Sequence, residues 1–383
     1  MELANLIPLS GLWLYIFIGL ISLLVIQLFY YLFFYNWLGL FLSRQKKDSN
    51  FSYPPISVII CAKNESQNLK QFLPEVLEQD YPASFEVIVV NDASEDDSEL
   101  VLAQLREEYA HLYYTNIPYD KQFRHGKKLA VTLGVKAAKN EHLLFTDADC
   151  KPATKYWIKN MAEGFSSGKD IVLGYGPYAK GKGFANFWHR YDTFHIAIQY
   201  LSFALKGLPY MGVGRNMAYK KSLFEKNQGF KKHQHILSGD DDLFIRDVAT
   251  KDNIAVVANA DSFTLSTAAK NMKEWRRQKS RHLTTSPHYK WKIKLLIGIE
   301  VLSRQLFWGI SLISVFFSTF AIALIAIIFI KLVTQLLVQR KIAKQFKQTD
   351  LLWGGVLLDF MQPLVTGMLL LGAKRQAKKN KWT

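Results

Sequence analysis

The chain of 383 residues joins 49% hydrophobic residues to a net charge of +16. Its basic clusters flank long uncharged stretches instead of lying among aromatics in a soluble part, which argues against a nucleic-acid partner and for anionic lipid headgroups. Two cysteines, Cys61 and Cys150, lie outside any CxxC or Cys/His cluster, a usage that fits buried reduced thiols and argues against a structural zinc site.

No charge occurs between Glu2 and Arg44. Residues 12 to about 34 suffice to span a bilayer core, which takes roughly 20 apolar residues. A cleaved signal peptide would need a basic start and a small-residue cleavage site, and neither is present. Residues 1–43 are therefore expected to form an anchor, with Arg44, Lys46 and Lys47 held in the cytoplasm.

Tyr53-Pro54-Pro55 marks a change to a soluble domain over 53–290. Apolar runs at 56–61 and 85–90 read as buried strands. Between them Leu69, Phe72, Leu73, Val76 and Leu77 fall at helical spacing. Helices are predicted over 96–109 and 127–138, before a strand that closes at Asp147. Such alternation with short connections gives an α/β fold, a parallel sheet covered by helices. Ligands of these sheets sit beyond the strand carboxyl ends, where Asn64, Glu65, Asn91, Asp92, Asp147 and Asp149 collect. Farther on, a strand is expected at 171–175, a long helix at 184–205, a Gly-rich turn at 212–214 and a helix from about Asp240.

After Lys294 the chain is apolar again. Residues 295–338 are about right for two crossings turning near Ser318-Thr319. Residues 350–383 hold a further apolar stretch with Asp359 and Pro363, then a basic tail. A full crossing there would leave that tail outside the cell, so the segment is expected to be interfacial or re-entrant.

Five motifs carry chemistry. Asp147-Ala148-Asp149 places two carboxylates at a strand end, where they can share a divalent cation with a diphosphate; alone it is more often a solvated turn. Asp92 ends the second strand, where it can accept hydrogen bonds from a base or ribose; its ordinary explanation is a helix cap. Lys127 stands at a helix start, suited to a diphosphate, and is otherwise a surface lysine. Asp240, Asp241 and Asp242 crowd three acids whose repulsion raises at least one pKa unless a cation intervenes; the alternative is a cap with favourable dipole contacts. Gln278 and Arg281 precede the apolar region and could equally belong to a solvated interfacial helix. Oxygen ligands of this kind suit a hard cation such as Mg²⁺ or Mn²⁺.

The combination resembles the membrane-bound inverting family 2 glycosyltransferases, the group of cellulose, chitin and hyaluronan synthases. The resemblance runs from residue 56 to 289 and rests on the segments 57–65, 90–94, 147–149, 212–216, 239–242 and 278–282. It implies a GT-A fold, a Rossmann-like nucleotide-diphospho-sugar transferase domain with flanking transmembrane helices. It implies that Asp92, with Asn64 and Glu65, contacts the nucleoside of a UDP-sugar. Lys127, Gln278 and Arg281 then face the diphosphate, and Asp147 and Asp149 hold the cation. Asp241, beside Asp240, serves as general base, and Gly214, Arg215, Asn216 and His282 border the acceptor. Asn91 stands where many members have an aspartate, and His282 replaces the tryptophan on which processive synthases stack sugar. The expectation is transfer of one or a few sugars to a lipid-linked or glycan acceptor at the cytoplasmic face of the inner membrane. A processive polysaccharide synthase is the alternative, and an inactive membrane-tethered binding partner a distant one. A dehydrogenase is disfavoured because Ala62-Lys63-Asn64-Glu65, not GxGxxG, follows the first strand. Trp188, His189, Arg190, Tyr191 and His195 are read as core before acceptor contacts, and Trp275, Arg276 and Arg277 as interfacial anchors.

Overall fold

The uncharged stretch from residue 12 on is helical: α1 spans Leu12–Phe29 and α2 Asn36–Arg44, joined by a π-helical stretch at Tyr30–Tyr35. The computed structural model describes residues 12–44, 51–119, 126–236, 238–317 and 321–376. The described residues group into two compact units, one within 1–44 and 291–371, the other within 45–290 and 372–383.

In the second unit, β1 (Ile56–Ala62), α3 (Ser66–Leu77), β2 (Phe85–Asp92), α4 (Ser98–Glu108), β3 (Leu112–Ile117), α5 (Lys127–Ala137) and β4 (His142–Asp147) alternate. β5 (Cys150–Pro152), α6 (Trp157–Glu163), β6 (Ile171–Leu173), α7 (Phe184–Leu205), β7 (Met217–Lys220) and α8 (Lys221–Lys226) follow. The unit closes with α9 (Asp242–Val248), β8 (Ile254–Val256), β9 (Thr264–Ser266) and α10 (Met272–Leu283).

The seven-stranded sheet has the order β3-β2-β1-β4-β7-β6-β8. Its first four strands are parallel, and β7 pairs antiparallel to both β4 and β6. The uninterrupted apolar runs of β1, β2 and β4 are those of strands covered on both faces. Gly134 of α5 permits close helix–sheet packing, since a Cβ there would lie 2.6 Å from Ile59 Cγ2. β1 lies between β2 and β4, so the chain reverses direction of winding there and a crevice opens beyond the strand ends. The register lines up the site: Cys61 pairs with Asp147 on one side, and Ala62 with Asn91 on the other. A two-stranded sheet, β5 with β9, extends from just past Asp149. Strand β3 was not anticipated; Leu112 and Ile117 are its buried ends, and the residues between them are too polar to signal a strand.

In the other unit, α11 (Trp291–Phe317) and α12 (Ala321–Gln345) precede α13 (Gly355–Gln376). Among the described residues, three helical stretches, 13–44, 291–315 and 321–345, are long and apolar enough to cross a membrane. The anticipated turn at Ser318-Thr319 and the end of the basic tail lie outside the described residues. Helix α13 continues through Pro363. Asp359, within the segment expected to be interfacial or re-entrant, is fully buried and ion-paired to Arg304 and Lys331.

Candidate active site

Asp147 ends β4, and its Oδ1 accepts from Lys127 Nζ at 2.6 Å. The same ammonium lies 3.5 Å from Asp240 Oδ2. One lysine at the start of α5 thus joins two acidic motifs far apart in sequence. The next residue, Lys128, is buried and donates to the carbonyls of His233 and Ile236 at 2.7 and 3.0 Å, which moors the segment leading into the acidic motif. Gly239 takes a positive φ of 91° that only glycine adopts without strain. Asp241 follows, with Oδ2 accepting from the Gly214 amide at 2.9 Å and Oδ1 from the Asp242 amide at 2.7 Å. A Cβ on Gly214 would sit 3.4 Å from Lys127 Nζ and 3.5 Å from Asp241 Oδ2, so the Gly-rich turn is drawn against both.

Asp149 accepts from Ser266 Oγ at 3.3 Å and from the Cys150 thiol at 3.4 Å. Ligand atoms of Asp147, Asp149 and Cys150 lie within 4.8 Å of one another. Burial alone would raise Asp147, but Lys127 outweighs it, aided by Arg215 and Arg281, and holds the carboxyl below its ordinary value. Burial and the Asp147 charge push Asp149 up, and burial pushes the Cys150 thiol well up. A hard divalent cation takes oxygen in preference to sulfur, and it would relieve the mutual repulsion of the two carboxylates. The donor set therefore fits Mg²⁺ or Mn²⁺. Burial works against the charge on Lys127, yet Asp147, Asp240 and Asp241 together raise its pKa well above the ordinary lysine value.

The loops after β1 and β2 clasp each other. Asn64, at φ 56°, donates its amide to Ser94 Oγ and accepts from the Glu95 amide, both at 2.8 Å. Glu65 accepts from the Asn68 side-chain amide; burial first, then the charges of Asp149 and Asp147, raise its pKa. Asp92 is fully buried beneath this clasp.

Several expected residues occupy other surroundings. Asn216, expected at the acceptor, is fully buried: it accepts from Trp157 Nε1 at 3.0 Å and donates to the carbonyls of Tyr175 and Ser262 at 2.8 Å. Its amide is committed to the interior. Arg215, also expected there, lies 4.3 Å over the Tyr178 ring with Nε on the Gly176 carbonyl at 2.8 Å, and its charge acts on Asp147 and Asp149. Gln278 donates to the Tyr178 hydroxyl at 2.9 Å, and His282 is exposed on the same helix. Trp275 is no interfacial anchor: it is 2% exposed and packs edge-on against Trp188. Sequence reasoning missed Tyr178 and Ser266, which no motif marks; their place comes from β9 folding back beside β5.

Residues 57–227 match the family model of glycosyl transferase family 2. Glycosyltransferase AglE of Haloferax volcanii is 30% identical over 142 residues, 37% of this chain and 45% of that protein. Dolichyl-phosphate beta-glucosyltransferase ALG5D of Trichomonas vaginalis is 31% identical over 101 residues, 24% of this chain and 30% of that one. The matches span less than half the length of these curated relatives. Among solved structures, the mannosyltransferase PcManGT of Pyrobaculum calidifontis, in complex with GDP-Man and Mn²⁺, superposes with a TM-score of 0.59 at 18% identity. That likeness covers 96% of this chain and 100% of that one, and it is a likeness of fold. The α/β architecture with its parallel-rich sheet is the GT-A fold.

Proposed function

Taking residues 57–227 as a family 2 glycosyltransferase domain, we propose that this protein transfers a sugar from a nucleotide-diphosphate sugar to a lipid-linked or glycan acceptor. In this reading residues 1–43 and 295–338 cross the inner membrane, residues 350–383 form a re-entrant or interfacial segment, and the domain at 53–290 works at the cytoplasmic face. The observation that carries the proposal is the convergence of Lys127 on Asp147 at 2.6 Å and on Asp240 at 3.5 Å. It joins a phosphate-suited pair to an acid cluster able to take a proton.

A UDP-sugar is the expected donor, with Asn64 and Glu65 at its nucleoside end and Asp92, fully buried at the end of β2, next to that end. Lys127, Arg215 and Arg281 offer positive charge to a departing diphosphate, whose negative charge grows as the glycosidic bond breaks. A divalent cation held by Asp147 and Asp149 would add Lewis-acid stabilisation of that charge. An alcohol is a weak nucleophile at neutral pH, so a carboxylate must accept its proton. Asp241 has that role here, aimed by the amides of Gly214 and Asp242, with Asp240 beside it. Attack opposite the leaving group inverts the anomeric centre.

The test is a panel of UDP- and GDP-sugars scored for protection against thermal unfolding with Mn²⁺, with Mg²⁺ and in EDTA. Ligand bound only by the folded chain raises the midpoint, and the stability gained grows with the logarithm of free ligand over Kd, to about 2.7 kcal/mol at a hundredfold excess. The expected outcome is cation-dependent protection by one UDP-sugar and acceptor-dependent release of UDP. Undiminished protection and turnover in chelator would remove Asp147 and Asp149 from the cation role.

A further inference from the structure

Helix α10 carries both Gln278 and Arg281, and a slip of one residue would turn its side chains by about 100°. Two rungs hold it against α7, each spaced i, i+4 on both helices. The apolar rung is Trp275 against Trp188, ring centroids 5.5 Å apart and planes at 82°. The ionic rung is Lys279, whose Nζ lies 2.9 and 2.8 Å from the two carboxylate oxygens of Asp192. Both partners are buried. Between the rungs, His189 Nδ1 accepts from the Ala269 amide at 3.0 Å, and its ring lies 3.8 Å from that of Tyr178, the acceptor of the Gln278 hydrogen bond. One stretch of α7 therefore holds the helix, the loop before it and the tyrosine that Gln278 touches.

The rungs differ in what they control. Apolar contact is non-directional and tolerates rotation, whereas a two-pronged ion pair is directional. A buried ion pair adds little net stability over a well-packed apolar pair. We propose that Asp192 and Lys279 are a positioning pair that sets the rotation of α10 and so the aim of Arg281 at the donor diphosphate and of Gln278 at Tyr178. The catalytic consequence rests on the glycosyltransferase reading above; the rotational one does not.

The full-length protein tests both. Asp192→Leu with Lys279→Met replaces the ionic rung by an apolar one and is expected to leave the unfolding midpoint within a few degrees of the parent. Turnover should fall roughly 10- to 100-fold, the scale expected of an ångström-level misplacement, with kcat falling more than KM rises. Lys279→Arg, which keeps the charge, should restore most of it. Nitroxides on Arg276→Cys and Glu107→Cys, both exposed helix positions, report the rotation without any need for activity. The distance distribution should be narrow in the parent and shifted or broadened in the apolar pair. An unchanged distribution, or a shifted one with turnover intact, overturns the proposal. A shifted distribution in a protein whose parent neither binds nor turns over any sugar nucleotide keeps the positioning role and rejects the glycosyltransferase reading instead. Should the apolar pair not fold, Asp192→Asn serves for the same comparison.

Discussion

Clustered charge is arranged in opposite ways in the two units. Among the helices, Glu300 and Asp359 face Arg304 and Lys331, each at most 1% exposed. Asp359 accepts from Arg304 Nη1 at 3.1 Å, from Trp308 Nε1 at 2.9 Å and from Lys331, while Lys331 also donates to Gln335 at 2.7 Å. Two acids meet two bases, and the side-chain oxygens of Gln362 and Gln335 accept from Arg304 and Lys331. In the α/β unit, Asp147, Asp149, Asp240, Asp241 and Asp242 face Lys127, Arg215 and Arg281, and Asp149 and Asp240 are pushed up in pKa, chiefly by burial. A charge-balanced cluster calls for no counter-ion, which suits helices long and apolar enough to cross a membrane, where unpaired charge is penalised. An unbalanced one stores repulsion that a cation and a diphosphate can relieve, as expected of groups with chemistry to do.

The sharpest way to break that contrast is to neutralise one charge in the unbalanced cluster. Asp241→Asn should lower kcat by about 10²–10⁴-fold, the usual range for loss of a general base, while nucleotide protection of the fold persists. Asp149→Ala should do the reverse, weakening nucleotide binding in Mn²⁺ before it affects anything else. Steady-state kinetics beside thermal-shift titrations separate the two. Equal losses in kcat and binding at both positions would contradict the division of roles.

What the sequence revealed follows the same contrast. The alternation of β1, α3, β2, α4, α5 and β4 was legible because strands covered on both faces are unbroken apolar runs, and α7 matched its predicted bounds, 184–205, residue for residue. The acids at strand ends were legible because polar residues closing apolar runs have few reasons to be there. Asn216 was misjudged because an amide buried by Trp157, Tyr175 and Ser262 looks in one dimension like an amide facing a ligand. Trp275 was misjudged likewise: its basic neighbours Arg276 and Arg277 suggested an interface, while the partner that buries it, Trp188, lies 87 residues away in sequence. Nor could spacing reveal that Asp359 finds Arg304 and Lys331, since pairing across three helices leaves no local pattern.

A middle-sized effect is expected in the balanced cluster. Asp359→Leu leaves Arg304 and Lys331 without their shared carboxylate, and breaking one side of a buried pair costs about 3–5 kcal/mol. Asp359→Leu combined with Lys331→Met should recover much of that loss, because removing opposite charges together leaves less uncompensated charge. Unfolding of the detergent-solubilised protein, followed by yield and midpoint, reads the difference. A double variant as unstable as the single would mean that the cluster is not held by charge balance.

The smallest effect distinguishes the clusters by pH. Burial, and then the neighbouring Asp241 charge, push the Asp242 carboxyl up to about 7, although Thr285, Tyr289 at 2.8 Å and the Leu243 amide at 2.7 Å donate to it. In the unfolded chain the same carboxyl titrates near ~3.9. Between those values the folded state holds a proton that the unfolded state has lost, so Asp242 contributes most stability at low pH and loses it as pH rises through about 7. Asp242→Asn keeps the shape and removes the titration. The stability difference between parent and Asp242→Asn, measured by urea unfolding from pH 5 to 8, should therefore move against the parent as pH rises and level off above about 7. A difference that moves the other way would mean that the donors from Thr285, Tyr289 and Leu243 outweigh burial, and that the charge at position 242 is tolerated as fully as those in the helical unit.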